Sequence, residues 1–333
     1  MNVPSIRKRS LTMKYEYQSV LKDVIQDLIE EKHSLGFKYE ASEWKLKELD
    51  QLAVKEQLDH IEITRGFAEK YIARKPNEKA INTTNRTGII RVLAQFMIRK
   101  GHPAYVLPPL PAGSYDRSFV PHIYTEDELQ RIFTAIDEYA ATPALDGQYY
   151  PQRDKYPVIF RILYSTGMRI DEVLNLKVKD VDLDKKTFTI LNAKNHSERI
   201  IPVHENTIRR LRNYMIKKEI YRIDQYIFSN RYGEHIDKST VDSFFLRFLQ
   251  FAGIPHPRNG PRVHDFRHTF CVHRLRDWVL EGRNINALFP YLCAYMGHAD
   301  TRCTEYYLRL TADLYPDIVY KSEKHFNGGD PGE

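Results

Sequence analysis

From about Tyr15 to Gly101, apolar side chains recur every three or four positions, the spacing of one face of an α-helix. Val20, Val24, Ile25, Leu28 and Ile29 form the first such stripe, and Gly36 closes it. A second helix is predicted over 41–53 with Leu46, Leu49 and Leu52 inward. A third covers 64–73, with Thr64 placed to cap it. A fourth covers 83–100 and turns Ile89, Ile90, Val92, Leu93, Phe96 and Met97 to the core before Gly101-His102-Pro103 ends it. Pro103, Pro108, Pro109, Pro111 and Gly113 then crowd a stretch without periodicity that runs to about Val120, which reads as an extended connection.

The pattern resumes at Thr125, whose hydroxyl and the following Glu126, Asp127 and Glu128 suit a helix start, and the helix runs to about Tyr139. A polar loop with Pro143, Gly147 and Pro151 precedes a helix over 157–165. The period then drops to two. Thr187 to Leu191 and Arg199 to Val203 read as strands around a polar turn that carries Lys194, Asn195 and His196. Helices fill most of the remainder. The expected organisation is a flexible segment 1–13, a helical domain 14–106, a linker 107–120, a second domain 121–326 and a disordered tail 327–333. The fold class is mainly α with a small β-sheet, α+β.

A length of 333 residues suits two domains, and 42% apolar residues are enough to fill two cores. No run approaches the ~20 apolar residues that span a bilayer. Met1 to Tyr17 is basic and polar without an apolar stretch, so no secretory signal is read there and the expected compartment is the cytoplasm. Fifty Lys and Arg against 44 acids give a net charge of +6, which permits nucleic-acid binding without demanding it. Cys271, Cys293 and Cys303 are widely spaced and form no C-x-x-C pair, so they read as reduced structural thiols rather than a zinc site.

Candidate chemistry gathers in the second half. Arg169 stands in Thr166-Gly167-Met168-Arg169-Ile170-Asp171-Glu172, with Glu172 three residues on, placed to orient its guanidinium. Arginine suits phosphate because its planar fork donates two parallel hydrogen bonds and keeps its charge. His264-Asp265-Phe266-Arg267-His268 can aim His264 and Arg267 at one site while Phe266 and Phe270 face the core. The near-neutral pKa of histidine would let His264 shuttle a proton. His298 and Tyr307, nine apart, would lie on opposite sides of one helix, but Gly297 and Asp300-Thr301 supply a break that lets both turn inward. Each feature alone has an ordinary structural reading: a surface ion pair, a solvated hairpin lysine, a satisfied core histidine, a packing tyrosine.

Taken together and in order, Arg169, Lys194, His264, Arg267, His298 and Tyr307 resemble the six active-site positions of the tyrosine recombinase (phage integrase) family. The family's usual spacing from this histidine implies Tyr307 rather than Tyr306 as the nucleophile, with Glu172 and His268 supporting the site. Cys303-Thr304 stands where the family often has two threonines, and the wording from Leu288 to His298 looks most like recombinases carried by bacterial transposons.

The resemblance implies that the two domains clamp duplex DNA from opposite sides and that Tyr307 attacks the scissile phosphate. A 3′-phosphotyrosyl link forms and a 5′-hydroxyl leaves. Arg169, Arg267 and His298 would stabilise the charge on phosphorus, and Lys194 with His264 would protonate the leaving oxygen. Neither a metal nor another cofactor is implied. The expected partner is double-stranded DNA carrying specific recombination sites. The expected assembly is a homo-oligomer, a tetramer on two DNA sites, with co-encoded recombinases as further candidate partners and no membrane. Arg86 and Arg91, near a predicted helix start, are candidate DNA contacts. Three other readings stay open: a relaxing topoisomerase of type IB chemistry, a catalytically idle DNA-binding accessory protein, and a metal nuclease.

Overall fold

The computed structural model describes residues 15–76, 78, 80–109, 120–142, 151–191, 198–257, 260–297, 307, 308, 310 and 311. The segments 1–13 and 327–333, Lys194, His298, Cys303 and Tyr306 lie outside the described residues. The chain divides into two units, Met1–Val120 and Pro121–Glu333.

In the first unit the helical stripes become α1 (Lys22–Ser34), α2 (Glu40–Lys55), α3 (Arg65–Ile72) and α4 (Ala80–Arg99). Leu21, Ile25, Leu28, Leu46, Leu49 and Leu93 are fully buried at their centre, while Leu52, Ile89 and Val92 pack against its edge. Thr64 caps α3 as its sequence suggests, its hydroxyl oxygen accepting from the Phe67 N–H at 3.2 Å. The segment after α4 does not leave at once. Tyr105 N–H donates to the Ile63 carbonyl at 2.7 Å and Leu107 is buried in the core, so the chain stays with the first unit through Leu107.

Helix α4 starts at Ala80, before the predicted Thr83, and this corrects the reading of Arg86. Arg86 lies inside the helix and is 2% exposed. Its guanidinium pairs with Glu78 and donates to the Ala73 carbonyl at 2.9 Å. A cation so enclosed ties the α3–α4 connection to α4. Arg91 is half-buried and donates through Nη1 to the Leu107 carbonyl.

The second unit contains α5 (Glu126–Ala141), α6 (Lys155–Thr166), α7 (Ile170–Leu174), β1 (Val181–Asp182), β2 (Thr187–Ile190) and β3 (Arg199–Pro202). These are followed by α8 (Glu205–Lys217), α9 (Lys238–Phe251), α10 (Asp265–Leu280) and α11 (Ile285–Met296). The strands form an antiparallel sheet in the order β1-β2-β3, with Phe188 opposite Ile201 and both fully buried. Thr125 and Glu128 cap α5 reciprocally: each side chain accepts from the other's backbone N–H, at 3.1 and 2.9 Å. Pro157 sits in the first turn of α6, where its missing N–H costs nothing.

Helix α6 lies at the centre with Ile159, Phe160 and Ile162 fully buried. Helix α10 is buried around most of its circumference. A second apolar cluster joins Phe270, Cys271, Val272 and Leu275 of α10 to Leu292 and Met296 of α11 and to Tyr307 and Leu310. Cys271 and Cys293 are buried. Among the described residues no helix is long and apolar enough to cross a membrane.

Losing one partner of a buried ion pair strands the other, so Arg86→Met is expected to destabilise the protein by about 3 kcal/mol. Urea unfolding measures this, and DNA affinity is expected to be unchanged in the folded variant.

Candidate active site

The site begins where α6 stops. Gly167 takes a left-handed conformation, φ +60°, that ends the helix and turns the chain toward α7. It also admits close packing: a Cβ there would lie 2.5 Å from Phe270 Cδ1 and 3.2 Å from Met296 Sδ. Only a hydrogen fits where α6, α10 and α11 meet. Two residues on, Arg169 is extended and stands just ahead of α7. Glu172 reaches back to it, Oε2 accepting from the Arg169 backbone N–H and Oε1 from Nη1, both at 2.9 Å. The spacing thus orients the guanidinium as expected, although Arg169 caps the helix rather than sharing its face.

Glu172 has a second cation. Arg199, the first residue of β3, places Nη2 2.8 Å from Oε2 and Nη1 3.1 Å from Oε1, and donates through Nε to the Tyr295 carbonyl at 2.9 Å. Burial alone would raise the Glu172 carboxyl. The hydrogen bonds and charge of Arg199, followed by those of Arg169, outweigh it and hold the carboxyl below its ordinary value. Arg199 was not among the residues singled out from sequence. Strand alternation held the signal: Ile201 faces the core, so Arg199 two residues before it faces the same way, and an inward charge needs a partner.

Arg267 projects from α10 and is 3% exposed. Its Nη1 donates to the Gly167 carbonyl at 2.7 Å and its Nη2 to the Met296 carbonyl at 2.6 Å. Arg169 Nη2 lies 3.3 Å from the Gly297 carbonyl. Burial, and next the positive charge of Arg169, weaken Arg267's hold on its proton, while Tyr307, Cys271 and Glu172 act the other way. Guanidinium basicity is high enough that the group stays charged at neutral pH.

His264 precedes α10, and its ring meets that of His268 edge-on at 4.9 Å between centroids. The His268 ring lies 5.5 Å from that of Tyr307, which is buried. Phe266 is fully buried and Phe270 stacks on Tyr295 at 5.7 Å, so the α10 aromatics face the core as predicted. The expectation of a near-neutral His264 is corrected. Protein packed around the ring, then the charges of Arg267, Arg262, Lys238 and Arg169, push its pKa down to about 4. His264 is nevertheless exposed by its accessible surface, which moderates desolvation, but the cations act in the same direction. At pH 7 the imidazole is neutral.

Arg169, Glu172, His264, Arg267, His268 and Tyr307 therefore converge within the second unit. Lys194 and His298 lie outside the described residues, while Arg86 and Arg91 belong to the first unit. The arrangement offers two fixed cations and a neutral imidazole to an anion beside a phenol. Among the described residues no group of three or more His, Cys, Asp or Glu side chains could hold a metal ion.

Two outcomes follow from this geometry. Gly167→Ala forces a methyl against Phe270 in a left-handed position, and a loss of about 2 kcal/mol is expected in denaturant unfolding. For His264, the folded protein gives up its proton near pH 4 and the unfolded chain near 6.5. Between those values the unfolded state binds more protons, so its contribution to stability falls as pH is lowered from 6.5 toward 4. Side-chain NMR titration is expected to find His264 well below 6.5 in the free protein. Bound phosphate, by supplying a negative charge, should move it upward.

The sequence profile of the phage integrase family matches residues 123–313. The chain is 27% identical over 319 residues to y4rB of Sinorhizobium fredii, whose name calls it an integrase or recombinase; the match covers 92% of this chain and 98% of that one. It is 28% identical over 271 residues to the tyrosine recombinase XerC of Thermodesulfovibrio yellowstonii, covering 78% and 81%. The fold is similar to that of the XerH site-specific recombinase solved on a palindromic difH substrate, with a TM-score of 0.57, 20% identity and coverage of 76% and 70%. It is also similar to the Tn1549 transposon integrase solved with transposon right end DNA, with a TM-score of 0.54, 17% identity and coverage of 85% and 94%. With more than half its length matched by the profile, the chain belongs to the phage integrase family.

Proposed function

We propose that the protein is a site-specific DNA recombinase in which Tyr307 cuts and rejoins strands through a covalent phosphotyrosyl link. The observation that carries this reading is the gathering of Arg169, Arg267 and Tyr307, from three separate stretches of chain, in one part of the second unit. A phosphodiester seated there meets two guanidinium groups whose geometry is set before it arrives.

The Tyr307 phenolic oxygen gives up its proton to solvent water and attacks phosphorus. A new P–O bond to tyrosine forms, the bond to the 5′-oxygen breaks, and the strand is held as a 3′-phosphotyrosine. Lys194, assisted by His264, supplies the proton that leaves with the 5′-oxygen. Arg169, Arg267 and His298 take up the extra negative charge on the non-bridging oxygens. Neutral His264 can donate a hydrogen bond to the phosphate, whose charge raises the imidazole's proton affinity. A 5′-hydroxyl from a second duplex then attacks phosphorus and releases the tyrosine. One phosphate ester replaces another at each step, so no external energy source enters.

The substrate is double-stranded DNA with defined sites, read by the helical unit and the second unit together. The working assembly is a tetramer on two sites, with co-encoded recombinases as candidate additional members, acting on nucleoid DNA in the cytoplasm. Likeness to a transposon integrase supports a mobile-element setting.

A randomised duplex pool, nicked to trap cleaved ends, can be selected by the protein–DNA adduct it forms. Tyr307→Phe is expected to abolish the adduct and Tyr306→Phe to retain it. An adduct surviving in Tyr307→Phe overturns the assignment of the nucleophile. Adducts formed without sequence preference, together with relaxation of any supercoiled plasmid, would favour a topoisomerase.

A further inference from the structure

We propose that Arg199 is a positioning residue for strand cleavage: through Glu172 it fixes the Arg169 guanidinium, and through the Tyr295 carbonyl it fixes the end of α11 that leads to His298. The proposal rests on the recombinase reading for its catalytic consequence and on geometry alone for its structural part.

All three guanidinium nitrogens of Arg199 are used. Nη1 and Nη2 grip the two oxygens of Glu172, and Nε holds Tyr295. Each Glu172 oxygen also accepts one donor from Arg169, so four donors share one carboxylate. Arg169 held by Glu172 alone could pivot about that carboxylate. With Arg199 on the other side, the carboxylate itself cannot turn.

The Arg199 side chain is only 8% exposed, which removes it from the solvent-facing surface where DNA backbones are usually gripped. Gly297 lies flat against it: a Cβ there would come within 2.9 Å of Nη1 and 3.0 Å of Cζ. The residue just before His298 is thus seated on the same guanidinium that steadies Arg169. Lysine cannot reproduce this, since a single ammonium lacks the flat fork that spans both oxygens and a carbonyl.

The test uses the full-length protein and the nicked duplex selected by the wild type, with the single-turnover rate of adduct formation and DNA affinity both measured. Arg199→Gln is expected to slow adduct formation about 100-fold, the scale of a 1 Å misplacement. DNA affinity should stay within about threefold. Arg199→Lys should recover at most about tenfold of the loss. In an Arg169→Ala background, adding Arg199→Gln should cost clearly less than in the wild type, because only the route through the end of α11 is left to lose. The acid limb of the rate profile should move to higher pH in Arg199→Gln, as Glu172 loses donors that favour its charged form.

Unchanged rates, losses that multiply in the Arg169→Ala background, or DNA affinity falling in step with rate would overturn the proposal. A readout independent of cleavage separates this from failure of the recombinase reading. The Arg169 side-chain ¹⁵N signal should broaden and exchange faster with water in Arg199→Gln, and an unaltered signal defeats the proposal whether or not any adduct forms. If Arg199→Gln does not fold, Arg199→Lys is put to the same measurement.

Discussion

Several guanidinium groups held side by side in a protein interior repel one another, and a low dielectric magnifies that repulsion. The second unit resolves this in two ways. Arg169 and Arg199 share the single buried carboxylate of Glu172, while Arg267 is met by the carbonyl dipoles of Gly167 and Met296. Dipoles orient a cation without cancelling its charge. The cluster therefore keeps net positive charge in fixed positions, as the proposed phosphoryl transfer requires.

Two glycines set the paths that make this possible. Gly167 and Gly297 both end helices in the left-handed conformation, at φ +60° and +64°, and both present their carbonyls to the arginines. Each also has a neighbour too close for a side chain, Phe270 in one case and Arg199 in the other. The approach to α10 is fixed from the far side: Tyr124 N–H donates to the Thr269 hydroxyl at 3.0 Å, and the Tyr124 hydroxyl donates to the Arg262 carbonyl at 2.9 Å. Helix α10 thus carries His264 and Arg267 on a support braced along its length.

Much of this was readable in the chain. The helical stripes, the Thr64 and Thr125 caps and the two-residue period around the hairpin rest on local rules, and local rules hold where packing agrees with them. Arg169, His264, Arg267 and Tyr307 were picked out by resemblance to a family, and the structure brings them near one another in the second unit. Arg86 was misread because a polar helix start and a buried ion pair use the same residues; Glu78, eight positions back, decides between them. The pKa of His264 depends on cations from Arg169 to Arg267, nearly a hundred positions apart, so no window on the sequence contains it. Arg199 escaped notice because its partners, Glu172 and Tyr295, become neighbours only after folding. Leu107 shows the same limit at a boundary: proline-rich composition suggested a free connection, yet one leucine and a pair of backbone hydrogen bonds keep the start of it on the first unit.

The acceptors chosen by Arg267 have an evolutionary corollary. Every amino acid carries a backbone carbonyl, so replacing Met296 with another residue of similar bulk leaves the same oxygen in place. The grip on Arg267 is thereby insulated from mutational drift in side-chain identity and responds only to changes in the course of the main chain. The grip on Arg169 is protected only in part: the Gly297 carbonyl would stay, but one codon change at position 172 removes the carboxylate. Arg169 and Arg267 should therefore differ in how their surroundings can vary, the first demanding a particular carboxylate and the second only a particular backbone path.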